Sequence, residues 1–253
     1  MRKEKTDMTN DLIVSRILFH KDRYFDPNAY PFNIPCLKER EELQLSSPVS
    51  IFIGENGSGK STLLEAVAIA AGCPAEGGTV NFRFETRNTS SVLSEYITLV
   101  KKRTPSMKFF LRAETFYNFS SEIERLVEEN SYGNLYNSYG GSLHEVSHGQ
   151  SFLRLIQNRF QEKGFYILDE PEAALSPTHQ LSFLYEINRL AHSGAQFLIA
   201  THSPIISAYR EAVLYDMDNA MEQVSYKDTS LYQQYSLFLK DPERMQELLF
   251  REE

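Results

Sequence analysis

The chain has 253 residues, 42% of them hydrophobic, and a formal charge of −8. That is enough apolar material to bury one large core or two lobes that share one, and the acidic balance argues against a wide basic surface for non-specific nucleic-acid binding. No uncharged apolar run approaches the ~20 residues of a membrane helix, and the stretch from Leu12 to Phe19 is interrupted by Ser15 and Arg16 and lacks a signal-peptide cleavage site; a cytoplasmic protein without membrane insertion is expected.

Leu12 to Phe19 and Val49 to Ile53 read as strands, with the Tyr-, Phe-, Pro- and Asn-rich segment from Tyr24 to Pro35 between them as a loop or short hairpin. Gly54-Glu55-Asn56-Gly57-Ser58-Gly59-Lys60-Ser61 follows the second strand, and Leu63 to Ala71 is the following helix, stopped by Gly72 and Pro74. Cys36 and Cys73 lack metal-ligand spacing and read as small buried hydrophobes in a reduced compartment. Asn81 to Glu85 alternates like a half-buried strand, and Met107 to Leu111 reads as another. Lys101-Lys102-Arg103 with Lys108 is either a solvated loop or a partner-facing patch. A helical pattern runs from Ser120 to Glu129, a Gly/Asn/Ser/Tyr loop from Tyr132 to Gly141, and an amphipathic helix from Ser151 to Phe160.

Two further strands, Gly164 to Leu168 and Gln196 to Ala200, flank a helix from Thr178 to Ala191, which suggests parallel strands buried on both faces. Ala212 to Tyr215 and Gln223 to Tyr226 flank Asp218-Asn219 as a hairpin, and two short helices close the chain from Leu231 to Leu239 and Pro242 to Phe250. There is no internal repeat and no heptad run.

The segment Gly54 to Ser61 fits the pattern G-x-x-x-x-G-K-[ST] between a strand and a helix. Its glycines let backbone N–H groups turn inward around an anion, and the helix that begins near Lys60 adds its positive dipole end. Asn56, Gly57, Ser58, Gly59, Lys60 and Ser61 are therefore the candidate phosphate-binding residues. Phe165-Tyr166-Ile167-Leu168 ends in Asp169-Glu170, so a buried strand can present Asp169 at its C-terminal tip, where Mg²⁺ beside phosphates needs an oxygen partner. Glu170 can then address the attacking water as a general base. The strand Phe197 to Ala200 likewise ends in Thr201-His202-Ser203-Pro204, which makes His202 a candidate γ-phosphate contact.

The order Gly54 to Ser61, Ser147-His148-Gly149-Gln150, Leu168-Asp169-Glu170-Pro171, Ala174-Leu175-Ser176-Pro177 and Thr201-His202 resembles the ABC-type ATPase domain, with Walker A, signature, Walker B, D-loop and switch histidine in sequence. In detail the chain is similar to the small stand-alone ATPases related to OLD-type, RecF-type and SMC-type heads. The resemblance implies an α/β P-loop fold over residues 1–253, with a mostly parallel core sheet, an N-terminal antiparallel portion and an inserted, partly helical lobe from Gly72 to Phe160. It implies ATP and Mg²⁺ as ligands, with Lys60 on the β- and γ-phosphates, Ser61 and Asp169 on the metal, Thr62 at the α-phosphate and Glu170 as the catalytic carboxylate. Ser147, Gly149 and Gln150 would meet the γ-phosphate held by a second copy in a head-to-tail homodimer, although Ser147 also reads simply as a helix cap.

Three departures stand out. His148 replaces the first signature glycine, Pro177 replaces the D-loop aspartate of transporter-type chains, and Glu114 occupies the position of the Q-loop glutamine, either as a metal or water ligand or as an exposed acid. Tyr24, Phe25, Tyr30 and Phe32 are equal candidates for stacking on adenine. The resemblance implies hydrolysis of Mg-ATP; an alternative is a slow nucleotide-gated switch acting on a separate effector protein, such as a nuclease, or on nucleic acid, in DNA repair or phage defence. An energy subunit of a membrane transporter is a third reading, against which the signature and D-loop both argue.

Overall fold

The computed structural model describes residues 12–74, 92–113, 116 and 148–250. Among the described residues nine strands form two sheets. Strands β1 (Val14–Phe19), β2 (Glu42–Gln44) and β4 (Ile97–Lys101) make an antiparallel sheet in the order β2-β1-β4. Strands β3 (Val49–Ile53), β5 (Lys108–Arg112), β6 (Phe165–Asp169), β7 (Gln196–Ala200), β8 (Val213–Asp216) and β9 (Glu222–Val224) make the larger sheet, in the order β5-β6-β7-β3-β8-β9. Every pairing in it is parallel except the β8-β9 hairpin.

The expected buried parallel strands are present, and their sequences explain why they lie in the middle. β3, β6 and β7 are buried at every position, so both faces of the sheet need a cover. On one face Phe52, Phe110, Ile167 and Leu198 pack against α2 (Lys60–Ala71) and the antiparallel sheet. On the other, Ile51, Phe109, Leu168 and Ile199 pack against α3 (His148–Arg159) and α4 (Pro177–His192). The two sheets are joined by Gln196, almost wholly buried at the start of β7. Its Oε1 accepts the Ile13 and Val14 amides at 2.9 and 2.8 Å, and its Nε2 donates to Val14 O at 2.8 Å. A buried amide with three bonds is a satisfied one.

Short helices α1 (Pro35–Lys38) and α5 (Pro204–Ser207) follow loops, and α6 (Ser230–Lys240) and α7 (Pro242–Leu249) close the described chain, as expected for the two tail helices. Helix α2 ends where expected: Gly72 takes φ 93°, and the Gly72 and Cys73 amides bond back to Ile69 and Ala68, the left-handed closure that glycine makes without strain. Both cysteines are buried free thiols, with burial pushing Cys36 up to about 11 and Cys73 up to about 12.

Of the stretch from Gly72 to Phe160, expected as an inserted lobe, residues 75–91, 114, 115 and 117–147 lie outside the described residues. β4 pairs with β1 and β5 pairs with β6, so this stretch supplies strands to both sheets, because Ile97, Leu99 and Phe109 to Leu111 are apolar enough to be buried there. The strand expected at Asn81 to Glu85, the helix from Ser120 to Glu129 and the loop from Tyr132 to Gly141 lie outside the described residues. Of the basic residues Lys101, Lys102, Arg103 and Lys108, two are tied to backbone carbonyls: Lys108 Nζ donates to Ala71 O at 2.7 Å and Arg103 donates to Gly194 O at 2.5 Å. Among the described residues no helix is long and apolar enough to cross a membrane.

Candidate functional site

The loop between β3 and α2 turns on glycines. Gly57 (φ 84°) has open space where a Cβ would stand, and Gly59 (φ 97°) passes so close to Ile34 that a Cβ would lie 2.8 Å from its Cγ2. The first gap leaves room for an anion against the backbone. The second seats the start of α2 on the Ile34-Pro35 turn, where Cys36 Sγ also donates to Ser58 O at 3.3 Å.

Lys60 is only 4% exposed. Its Nζ donates to Gly54 O at 2.8 Å and Glu55 O at 2.9 Å, within its own loop. Burial lowers its pKa, while Glu170, Asp218, Asp169 and Glu55 pull it back up. Asp218, at the β8-β9 turn, braces the loop by accepting the Glu55 amide at 2.7 Å.

The tip of β6 meets the first turn of α2. Ser61 Oγ donates to Asp169 Oδ1 at 3.0 Å, and the Asp169 side chain is nearly buried. Arg112, register partner of Asp169 across the β5-β6 pair, donates from Nε to Asp169 Oδ2 at 3.1 Å and from Nη2 to Glu65 Oε2 at 2.9 Å. Burial raises the Asp169 pKa; Arg112 and the Ser61 hydroxyl oppose that rise. These groups, with Thr62, Tyr30 and Glu170, line a cavity of about 280 Å³.

Glu170 sits just past the strand in left-handed backbone, φ 51° and ψ 50°, a conformation that costs a non-glycine residue on the order of 1 kcal/mol or more. It is held there by its amide, which donates to Ala200 O at 2.9 Å. Glu172 Oε1 accepts the His202 amide at 2.5 Å. His202 Nε2 is 3.6 Å from Glu170 Oε1. Among the described residues, His202 Nε2 and Glu172 Oε2 are buried without a hydrogen-bond partner.

The structure therefore brings Lys60, Ser61, Thr62, Asp169, Glu170 and His202 to one end of the sheet, at the C-terminal tips of β3, β6 and β7. Asn56 to Gly59 form the loop above them. Gly149 and Gln150 stand apart, at the start of α3. Gly149 is buried, and a Cβ there would collide with His179 Nδ1 of α4 and lie 3.1 Å from Ala174 O, so it lets α3 pass the D-loop segment; Gln150 is exposed. Ser147 and Glu114 lie outside the described residues.

Sequence reading missed Arg112, Glu65 and Glu172. The signal for Arg112 was available: Phe109-Phe110-Leu111-Arg112 ends in a charge just as Ile167-Leu168-Asp169 does, which for parallel neighbours means side by side. The four aromatic candidates separate. Tyr24 stacks on Phe32 at 4.1 Å, and Tyr96 meets both edge-on. Tyr30 is 70% exposed and its hydroxyl lies 2.7 Å from Thr62 Oγ1, whereas Phe25 is exposed and makes no ring pair among the described residues.

A family model described as AAA domain matches residues 32–237. The chain belongs to this family, and the resemblance drawn from its motif order stands. No curated protein matches. Among solved structures it is similar to an SMC head domain from Thermotoga maritima, at 15% identity over 81% of this chain and 94% of that one, with a TM-score of 0.42. It is also similar to a nucleotide-free ATP-binding cassette from an ABC transporter, at 17% identity over 95% and 100% of the two chains, with a TM-score of 0.43.

Proposed function

We propose that the chain binds Mg-ATP at the loop Gly54 to Ser61 and hydrolyses its terminal phosphate, with two copies meeting head to tail over two nucleotides. The observation that carries this reading is the 3.0 Å hydrogen bond from Ser61 to Asp169, which joins the phosphate-loop helix to the acidic strand tip beside the buried Lys60.

The donor set fits magnesium. Ser61 and Asp169 offer hard oxygens at a cavity rim, and Mg²⁺ commonly takes only one or two protein ligands, with water and phosphate oxygens for the rest. When bound, the metal would neutralise charge on the β- and γ-phosphates. Lys60 would exchange its contacts with Gly54 O and Glu55 O for phosphate oxygens, and the amides of Asn56 to Ser61 would add theirs at the helix start. Thr62 faces the α-phosphate in this reading, with Tyr30 beside it as the ring for the base. Glu170 accepts a proton from water as its oxygen bonds to the γ-phosphorus, while the bond to the ADP oxygen breaks. His202, held by Glu172 through its own amide, steadies the γ-phosphate. Ser147, Gly149 and Gln150 serve the partner's nucleotide, and Glu114 is a further candidate ligand to the metal or its water.

Glu170→Gln tests the dimer. It removes the base without emptying the site, so in excess Mg-ATP it should double its mass by light scattering; a variant that binds nucleotide yet stays monomeric would remove the head-to-tail element.

One observation favours a second reading, a slow nucleotide-gated switch acting on a separate effector protein or nucleic acid. The charged groups of the site are held by one another and by the loop, with Lys60 on loop carbonyls and Asp169 held by both Ser61 and Arg112. Turnover measured with and without DNA separates the two: strong stimulation favours the switch, and fast turnover alone favours the simple ATPase.

A further inference from the structure

Arg112 ends β5 as Asp169 ends β6, and the parallel register sets them abreast. The carboxylate assigned to the metal therefore carries a full positive charge on one oxygen while Ser61 occupies the other. The same guanidinium is anchored on α2 by Glu65, and its central carbon lies 5.7 Å from the centroid of the Phe110 ring. The cluster is largely buried: side-chain exposure is 3% for Asp169, 14% for Glu65 and 22% for Arg112.

Charges in such a place interact strongly, because little water screens them. A divalent ion bound by Ser61 and Asp169 would stand within a few ångströms of the guanidinium. Arginine cannot relieve that repulsion by losing its proton, since its pKa lies far above any working pH. The only relief is movement, and Glu65 offers a second carboxylate on which the guanidinium can remain.

We propose that Arg112 is a positioning residue that competes with magnesium for Asp169, so that loading of the site requires the Arg112–Asp169 ion pair to open while Glu65 retains the side chain. The proposal rests on the Mg-ATP reading above and assigns its regulation: Arg112 sets the magnesium concentration at which the site fills.

The test measures binding of a fluorescent ATP analogue as a function of Mg²⁺, together with the melting temperature with and without Mg²⁺ in the absence of nucleotide. Arg112→Gln removes the charge. It should lower the half-saturating Mg²⁺ concentration about tenfold, the size of effect one adjacent charge has on a carboxylate's proton affinity. It should also melt lower than wild type in EDTA and recover more than wild type on adding Mg²⁺. Arg112→Lys, which keeps a cation, should stay near the wild-type Mg²⁺ dependence. Glu65→Gln, which takes the second carboxylate away from the guanidinium, should raise the half-saturating concentration, and it keeps the test open if Arg112→Gln does not fold.

An unchanged or higher half-saturating Mg²⁺ concentration in Arg112→Gln overturns the proposal. So does a tenfold loss of analogue affinity in EDTA, which would make the guanidinium a phosphate ligand. If wild-type protein binds no analogue at any Mg²⁺ concentration, the phosphate-loop reading fails; the melting temperatures without nucleotide still decide the fate of Arg112.

Discussion

Glu172 Oε1 accepts the backbone N–H of His202 at 2.5 Å, tying the turn after β6 to the turn after β7. Together with the Glu170 amide on Ala200 O, this bond sets the left-handed Glu170 beside the histidine that faces it.

The Glu172 carboxyl is buried, and burial raises its pKa from an ordinary 4.5. The native state then binds this proton more tightly than the unfolded chain. Its contribution to stability is full below 4.5 and is lost as pH rises through the native value. Glu172→Gln keeps an acceptor for the His202 amide and has no such loss. The melting temperature of the variant relative to wild type should therefore rise by a few degrees between pH 5 and pH 8, at about 2–4 °C per kcal/mol for a chain of this size. A difference that stays constant over that range would contradict the assignment.

Lys60→Ala should abolish binding of a fluorescent ATP analogue, since no other group of the loop brings a cation to the phosphates. Because the Lys60 ammonium is buried and bonded to Gly54 O and Glu55 O, its removal also leaves those carbonyls short of a donor, at a cost of about 1–3 kcal/mol. Analogue affinity equal to wild type would count against the loop as the phosphate site.

Tyr30 and Phe32 should part company on mutation. Tyr30→Ala removes an exposed ring and should leave stability within about 0.5 kcal/mol while weakening nucleotide affinity. Phe32→Ala opens the Tyr24-Phe32-Tyr96 cluster and should cost about 3–5 kcal/mol of stability. Analogue titration and thermal melting of the two variants read this directly, and equal nucleotide affinity in wild type and Tyr30→Ala would take the base away from Tyr30.

Gly149→Ala drives a methyl group toward His179 and Ala174 O. Overpacking of this kind costs about 1–3 kcal/mol, and adding His179→Ala should return part of it, a coupling visible in a double-mutant cycle of melting temperatures. Full additivity would mean that the glycine is not there for packing against α4.

The parts legible in the sequence were those whose signal is local. Gly54 to Ser61 carries its loop, strand and helix in one stretch, and the all-apolar Ile51-Phe52-Ile53 and Tyr166-Ile167-Leu168 announce strands buried on both faces. β2 was not legible, because three residues alternating Glu, Leu, Gln look like loop until β1 pairs with them. Arg112 and Glu65 required knowing which strand lies beside which and in what register. Glu172 required knowing which carboxylate of Asp169-Glu170-Pro171-Glu172 turns inward, and spacing does not reveal that when the residue between is in left-handed backbone. Tyr24, Phe25, Tyr30 and Phe32 differ in packing, through the Tyr96 contact and the Thr62 hydroxyl, and neither can be read from spacing.

The most direct test of the central claim is phosphate release from saturating Mg-ATP by wild-type protein and by Glu170→Gln. Loss of a positioned base costs about 10²–10⁴ in rate, so the account predicts measurable release by wild type and a fall of that size in the variant, with analogue binding retained. Equal release by the two proteins would contradict it.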